Sequence, residues 1–146
     1  MITCSFLLMA ISAHADYTSI DFYLYNNNYG KAMVMNIEGV ENTDFNTSEA
    51  AGPGECAFAF DYPTAWFLSA TTYRYLITIY CPDYSGSTME KAAEIELTTQ
   101  NIYLLWAAWL QFYVSQNTSY SDDVEVEVSC SAIFGADNGD ITIYAK

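Results

Sequence analysis

Five aromatic side chains in two stretches of the sequence are the residues best suited to hold a ligand: Tyr80, Tyr84, Tyr103, Trp109 and Tyr113. Tyrosine and tryptophan rings suit surfaces that are wet on one side and apolar on the other, including membrane interfaces. A cage of such rings also binds a quaternary ammonium group by cation–π attraction. The chain has 13 Tyr, 8 Phe and 3 Trp, and not all of them fit in a core. We therefore predict that these five rings form a binding surface.

The groups that catalysis requires are mostly missing. His14 is the only histidine, and it lies in a segment that we expect to be removed, so no Ser/His or Cys/His pair remains. Two carboxylates can serve glycoside hydrolysis. With 18 acidic residues in the chain, however, the presence of a pair does not indicate a glycosidase. The segment 137–140 lacks the spacing and the terminal Glu of a calcium loop and predicts a turn. We expect a non-enzymatic protein without a metal site or a cofactor.

Residues 1–15 predict a secretory signal peptide. They hold an apolar run over residues 6–11 and end in Ala13-His14-Ala15, which fits an A-x-A cleavage pattern. The positive residues that usually begin such a segment are missing, and the alternative is a buried first strand. Cleavage leaves residues 16–146 as a single extracellular domain.

The mature chain keeps three cysteines, Cys56, Cys81 and Cys130. In a secreted protein they predict one disulfide and one odd thiol, or a bridge between two copies in a homo-oligomer. All three fall on strand phases that we expect to point inward. Two sequons in polar segments, at Asn46 and Asn117, are candidate N-glycosylation sites.

Acidic residues outnumber basic ones 18 to 4, which gives a net charge of −14. Such a chain repels nucleic acid and anionic lipid. Zwitterionic lipid, neutral glycan and a basic protein remain as partners.

Short segments of alternating polarity predict about eight β-strands. Residues 18–25 and 31–38 alternate around an Asn-rich turn and predict a hairpin. Residues 39–54 are polar and predict a surface loop, and residues 55–61 a strand with Cys56, Phe58 and Phe60 on one side. The predicted core includes Phe58, Ile77, Ile79, Ile95, Val124, Val126 and Val128.

One segment, residues 102–113, predicts a helix instead. Its large apolar residues recur at the helical period, it has no charge, and Thr98 and Thr99 can cap its first amides. The segment is too short to span a membrane, which takes ~20 apolar residues. The predicted fold class is therefore mainly β: an antiparallel β-sandwich of about eight strands with one helix near residues 99–113 packed on the sheet.

The order of these elements resembles the actinoporin-like family of β-sandwich cytolysins, which is related in fold to fungal fruit-body lectins. The similarity is carried by IDFYLYNNNYGKAMVMNIE (20–38), GPGECAFAF (52–60), YRYLITIYCPDYSGS (73–87), TTQNIYLLWAAWLQFY (98–113) and AIFGADNGDITIYAK (132–146). A weaker resemblance, at Cys-Pro near position 81, is to the acidic, lipid-binding aegerolysins.

The resemblance implies a phosphocholine site made by Tyr80, Pro82, Tyr84 and Tyr103. The family's pore is built by an N-terminal amphipathic helix, whereas here a strand follows Asp16 almost at once. We therefore expect a secreted protein that binds phosphocholine-type lipid headgroups without forming such a pore.

Two other function classes remain open. In a carbohydrate-binding, lectin-like module, the same rings would stack on sugars and Asp83 would bind hydroxyls. In a secreted effector or structural protein, the acidic surface would meet a basic partner.

Overall fold

The computed structural model describes residues 19–27, 30–61, 70–104, 107–121, 125–132 and 138–145. These residues are mainly β, and no helix occurs among them. The strands are β1 (Ser19–Asn26), β2 (Met33–Glu41), β3 (Asn46–Ala51), β4 (Cys56–Asp61), β5 (Ala70–Pro82), β6 (Met89–Leu104), β7 (Ala107–Ser119), β8 (Val126–Ala132) and β9 (Asn138–Ala145). The predicted signal peptide lies outside the described residues.

The strands form two sheets. One has the order β4-β1-β9-β8 and the other the order β3-β2-β5-β6-β7. The predicted hairpin of the first two strands is wrong, because β1 and β2 belong to different sheets. The predicted antiparallel pairing is confirmed for six of the seven strand pairs, and the exception is β1 with β9, which run parallel. Residues 138–140, predicted as part of a turn, belong instead to β9, which pairs antiparallel with β8.

The buried faces of both sheets share one hydrophobic cluster. The Phe22 ring of β1 packs edge-on against the Tyr75 ring of β5 at 5.3 Å, and it stacks on Phe45 at 6.0 Å. The predicted alternation of residues 18–25 and 31–38 is confirmed in β1 and β2, and β5 and β6 alternate in the same way. The residues of these four strands that point inward are fully buried or nearly so. They are Ile20, Phe22, Leu24, Met33, Met35, Ile37, Tyr75, Ile77, Ile79, Cys81, Ala93, Ile95 and Leu97.

A buried polar group ties together three parts of the chain. The Tyr75 hydroxyl donates to Oδ2 of Asp61 at 2.5 Å, and the Thr43 hydroxyl donates to the same oxygen at 3.0 Å. Burial, followed by the hydrogen bond to Asp61, raises the pKa of Tyr75 far above its usual value. Thr43 also accepts a hydrogen bond from the Phe45 amide at 3.1 Å. The end of β4 and the β2–β3 turn are thereby fixed to the middle of β5.

The phase of β4 is opposite to the predicted one. Ala57 and Ala59 point inward, while Cys56, Phe58 and Phe60 are exposed. Small side chains fit under this strand because the large rings of neighbouring elements, such as Phe22, already fill the interior. Phe58 is therefore not a core residue. Of the predicted valines, Val126 is buried, Val128 is partly buried and Val124 lies outside the described residues.

The predicted helix near residues 99–113 is wrong. This segment forms the end of β6 and the start of β7, which pair antiparallel with Thr99 opposite Phe112 and Ile102 opposite Trp109. Thr99 is no cap, since it lies fully buried in β6 opposite Tyr73. The segment is rich in aromatic residues, which favour strands, and the neighbouring strand β5 supplies the backbone partners. Pairing within the sheet therefore prevails over the helical spacing.

Two loop predictions also need correction. The predicted surface loop at residues 39–54 contains β3, an antiparallel partner of β2. Residues 115–123 are polar and predict a loop, but the chain is strand as far as Ser119, where β7 ends. Polar residues form strands here because β3 and β7 are the edge strands of the five-stranded sheet, where one side is open to solvent.

Candidate functional site

The strand register does not bring the six predicted ligand-binding residues into one site. Tyr80 and Pro82 stand at one end of β5, next to the loop that carries Tyr84, whereas Tyr103 and Trp109 stand beyond the opposite end. The 13 residues of β5 separate these ends, a distance of ~40 Å at about 3.3 Å per residue step. One headgroup cannot contact both groups.

Tyr113 lies between these ends. It is 55% exposed and opposite Thr98 in the middle of β6, and its hydroxyl donates to Oε1 of Gln111 at 2.9 Å. For Tyr103 and Trp109 the structure describes the positions in the strands but not the side chains.

At the Tyr80 end, the structure adds two residues that the sequence pattern did not indicate. Tyr80 pairs with Lys91 of β6, and the Lys91 ammonium lies 5.7 Å from the centroid of the Tyr120 ring. Lys91 also forms a salt bridge with Glu94 at 2.6 Å. The hydrogen bond from Lys91 to Glu94 raises the pKa of Lys91, and the nearby hydroxyls of Tyr120 and Tyr80 act in the same direction. We call Tyr80, Tyr84, Lys91 and Tyr120 the lysine–tyrosine site.

The loop that carries Tyr84 is held by Asp83. The Asp83 carboxylate accepts hydrogen bonds from the Ser85 hydroxyl at 2.8 Å, the Ser87 amide at 2.8 Å and the Thr88 hydroxyl at 3.0 Å. These bonds, the one from Ser85 first, lower the pKa of Asp83 to about 2. Asp83 thus orders the loop. Because its carboxylate oxygens already accept these hydrogen bonds, the predicted role of Asp83 in binding sugar hydroxyls is disfavoured. Tyr84 itself is fully exposed, at 104%.

Arg74, the only arginine in the sequence, forms its ion pairs elsewhere on the five-stranded sheet. Arg74 pairs with Glu96 of β6 and with Glu41 of β2 at 3.6 Å, and the Glu96 hydrogen bond raises its pKa. Arg74 lies opposite Thr98, in the middle of the strands. Among the described residues, Lys91 is therefore the basic residue that lies beside Tyr80.

Because β4 has the phase opposite to the predicted one, the structure has a second aromatic surface. It covers the face of the four-stranded sheet that points away from the core, and Tyr25, Phe58 and Phe60 are 40%, 45% and 41% exposed there. Ring centroids are 5.4 Å apart for Tyr23 and Phe58, 5.6 Å for Phe58 and Phe60, and 5.5 Å for Tyr25 and Tyr144. We call these five residues the aromatic face.

Of the four cysteines in the sequence, Cys56 and Cys81 have described side chains, and these two are not bonded to each other. Cys56 lies exposed on the outer face of β4, opposite Tyr25, while Cys81 is buried in the other sheet. The expectation that Cys56 points inward is therefore wrong, and so is a disulfide between Cys56 and Cys81. The Cys56 side chain raises the pKa of the neighbouring Tyr25 hydroxyl. Cys130 has a described position in β8, but its side chain is not described.

This difference predicts selective alkylation of the native protein. Iodoacetamide should modify Cys56 at about the rate of a free thiol, and Cys81 only when denaturant opens the fold, because the reagent must reach the thiolate. Peptide mapping by mass spectrometry separates the two sites. Equal rates in the native state, or a protected Cys56, would contradict the structure.

The two candidate glycosylation sites differ in their surroundings. Asn46 is exposed on the edge strand β3. Asn117 of β7 donates from Nδ2 to the carbonyl oxygen of Val126 in β8 at 3.0 Å. Because a glycan is attached through that same nitrogen, modification at Asn117 would disturb a contact between the sheets, whereas modification at Asn46 would not.

Known proteins give no further guide to the site. No protein-family model, no curated protein and no solved structure matches the chain. In the described part of the chain, no group of His, Cys, Asp and Glu side chains is arranged to hold a metal ion. The same residues contain no helix of the length and hydrophobicity needed to cross a bilayer.

Proposed function

We propose that the chain is a secreted, non-enzymatic binding protein that attaches to phosphocholine headgroups of zwitterionic membranes through the lysine–tyrosine site. The observation that carries the proposal is the position of Lys91, which lies over the Tyr120 ring and opposite Tyr80. For the fold, we propose an actinoporin-like β-sandwich in which the two sheets cover each other's apolar faces. The shared hydrophobic cluster supports this arrangement.

The site offers a group for each charge of the headgroup. The Lys91 ammonium can bind the phosphate, and Tyr120 and Glu94 hold it in position. The rings of Tyr80 and Tyr84 can take the choline, because aromatic faces attract quaternary ammonium groups. The ordered Asp83 loop reduces the entropy lost when Tyr84 is fixed against a ligand.

The charge of the protein favours a zwitterionic lipid over an anionic one. A net charge of −14 repels an anionic bilayer, and the headgroup of phosphatidylcholine has no net charge. Binding to phosphatidylcholine should therefore weaken when anionic lipid is mixed into the bilayer.

Co-sedimentation with phosphatidylcholine liposomes tests the proposal. Tyr84→Ala and Lys91→Gln should each weaken binding by about two- to fivefold, the effect of one cation–π or exposed ionic contact. Tyr113→Ala is the matched control, since it removes an exposed tyrosine of the same sheet at a distance from the site. Tyr84→Ala should leave the melting temperature unchanged because the ring contributes nothing to the core.

Several outcomes would contradict this function. Protein left in the supernatant at every lipid composition would exclude lipid binding, and an equal loss in Tyr84→Ala and Tyr113→Ala would exclude this site. We also expect liposomes to retain an encapsulated dye. The long hairpin of β6 and β7 can leave the sheet only by giving up the entire pairing of β5 with β6. Rapid dye release would show that the protein inserts into the bilayer.

A further inference from the structure

We propose that the outer edge of β7 pairs with β7 of a second copy, in antiparallel orientation, and joins the two five-stranded sheets into one. β7 is the last strand of its sheet, and its only partner among the described strands is β6. The backbone amide and carbonyl groups on its other side can therefore bind a further strand. The pairing does not depend on the proposed lipid binding, whereas its consequence for membranes rests on that function.

The open part of this edge is the segment 107–114, which we call the β7 edge. Among the described residues, it has no backbone partner on its outer side. A bulge at Ser115 ends the segment. Beyond the bulge the strand contacts the other sheet, where Asn117 donates to the Val126 carbonyl oxygen at 3.0 Å. The described side chains of the β7 edge are exposed, apart from the half-buried Phe112.

β7 lacks most of the features that keep edge strands from pairing with other chains. It has 13 residues and contains no charged residue, no proline and no glycine. The other three edge strands have only 6 or 7 residues, and each contains a carboxylate, namely Glu49 in β3, Asp61 in β4 and Glu127 in β8. Short length and charged side chains are the usual protection against strand addition. β7 is therefore the edge best suited to accept another strand.

The distribution of charge allows a second copy to approach at this edge. The chain has a net charge of −14, so two copies repel each other. The corner of the sheet that contains the β7 edge is an exception, because residues 70–73, 98–104 and 107–114 include no charged residue. Just beyond this corner, Arg74 and Glu96 form an ion pair with each other. Two copies that meet here keep the carboxylates of the described strands apart.

The β7 edge of a second copy has the properties that the added strand needs. That strand must be uncharged and regular over about the same length, and the β7 edge itself meets both conditions. Antiparallel pairing of two like segments is two-fold symmetric, so each copy completes the edge of the other. Pairing over the full segment places Gln111 of one copy opposite Leu110 of the other, beside the symmetry axis. Since a single strand pair is smaller than a standard interface of ~1,600 Å², we expect a weak, concentration-dependent dimer.

This dimer has its two lysine–tyrosine sites at opposite ends of the joined sheet. In each copy the site lies at the end where β7 stops and Tyr120 follows, and antiparallel pairing reverses one copy relative to the other. The two sites are then on the order of 60 Å apart, at about 3.3 Å per residue along both strands. If each site binds a headgroup, the dimer contacts two bilayers and cross-links vesicles.

Analytical ultracentrifugation tests the pairing. The wild type should dimerise as its concentration rises, and salt of about 0.5 M should strengthen the dimer because it screens the repulsion between two copies. Gln111→Lys should weaken the dimer at least about tenfold, since it places like charges side by side at the symmetry axis. The same substitution reduces the net negative charge, so self-association governed by overall charge would become stronger instead.

The matched control is Ala50→Lys, which adds the same charge at an exposed position of β3, the other edge strand of this sheet. It should leave the dimer within about twofold of the wild type. Hydrogen exchange of the wild type provides a measurement that needs no substitution. Amides of the β7 edge should exchange more slowly at high protein concentration than at low concentration, and those of β3 should exchange equally at both.

Turbidity of phosphatidylcholine liposomes tests the cross-linking. The wild type should cluster them, and Gln111→Lys should co-sediment with them as the wild type does without clustering them. Tyr84→Ala should remain dimeric and lose binding and clustering together. A dimeric wild type that binds no liposomes would overturn the headgroup function but not the pairing. A dimeric wild type that binds liposomes without clustering them would overturn the antiparallel placement of the two sites.

Two results would overturn the pairing itself. The first is a wild type that stays monomeric at every concentration, with exchange of the β7 edge independent of concentration. The second is a dimer that Gln111→Lys and Ala50→Lys weaken equally, or that protects the amides of β3 rather than those of residues 107–114, because the contact would then lie elsewhere.

Discussion

Replacing Tyr75 with alanine should lower the free energy of unfolding by about 3–5 kcal/mol, the usual cost of removing a large buried ring. The ring is fully buried and packs against Phe22, so it joins the apolar faces of the two sheets. Its hydroxyl adds a separate contribution through the hydrogen bond to Asp61. Tyr75→Phe keeps the ring and removes only the hydroxyl, and it should cost about 1–3 kcal/mol because it takes one donor from a buried carboxylate.

Urea unfolding of the three proteins measures both contributions. Tyr113→Phe is the control, since its hydroxyl lies in solvent and contacts only the nearby Gln111 in the described part of the chain. It should change stability by less than about 0.5 kcal/mol. If Tyr75→Phe were as harmless as Tyr113→Phe, the buried bond between Tyr75 and Asp61 would contribute nothing to stability.

Gly39→Ala should destabilise the protein by about 1–3 kcal/mol, as overpacking at a close backbone contact does. A Cβ atom on Gly39 would lie 2.5 Å from the carbonyl oxygen of Thr43 and 3.1 Å from that of Phe45. The chain cannot relieve this contact easily, because the Gly39 amide donates to the Phe45 carbonyl at 2.7 Å. Moving Thr43 would also disturb its hydrogen bond to Asp61.

The control for this prediction is Gly52→Ala. There the added atom would meet the end of the flexible Glu55 side chain, which accepts an exposed hydrogen bond from the Gly52 amide at 3.0 Å and can exchange it for water. We expect a change of less than about 0.5 kcal/mol. Equal melting temperatures for the two variants would mean that the β2–β3 turn shifts freely, against the close contacts described.

The sequence predicted well the strands that have one apolar and one polar face. In β2 and in β6 up to Leu97, inward residues such as Met35 and Ile95 alternate with polar ones, and a period of two then defines both the strand and its buried face. In β4, both faces are apolar, with Ala57 and Ala59 on one side and the phenylalanines on the other. The space left by neighbouring side chains decides which side is buried, and the sequence pattern does not contain that information.

The helix prediction failed because of a missing turn signal. Residues 102–113 have no Gly, Pro, Asn or Asp that would mark a reversal, so two paired strands read as one continuous helical segment. The candidate site likewise depends on strand pairing and register, which the sequence pattern does not show. Tyr80 meets Lys91 only because the register shifts between Ile79 and Tyr80, and Tyr120 joins them from the far end of the next strand.

The pairing of β1 with β9 has a consequence for how the protein is made. Residue 19 lies beside residue 138, so a central position of the four-stranded sheet stays open until β9 has also left the ribosome. Until then β1 has one unpaired edge and β8 has no strand partner on either side. Such edges recruit wrong strands, including those of other chains. Pairing between residues so far apart in sequence is also slow. A chain truncated before β9 should therefore aggregate during synthesis even though it retains every residue of the lysine–tyrosine site.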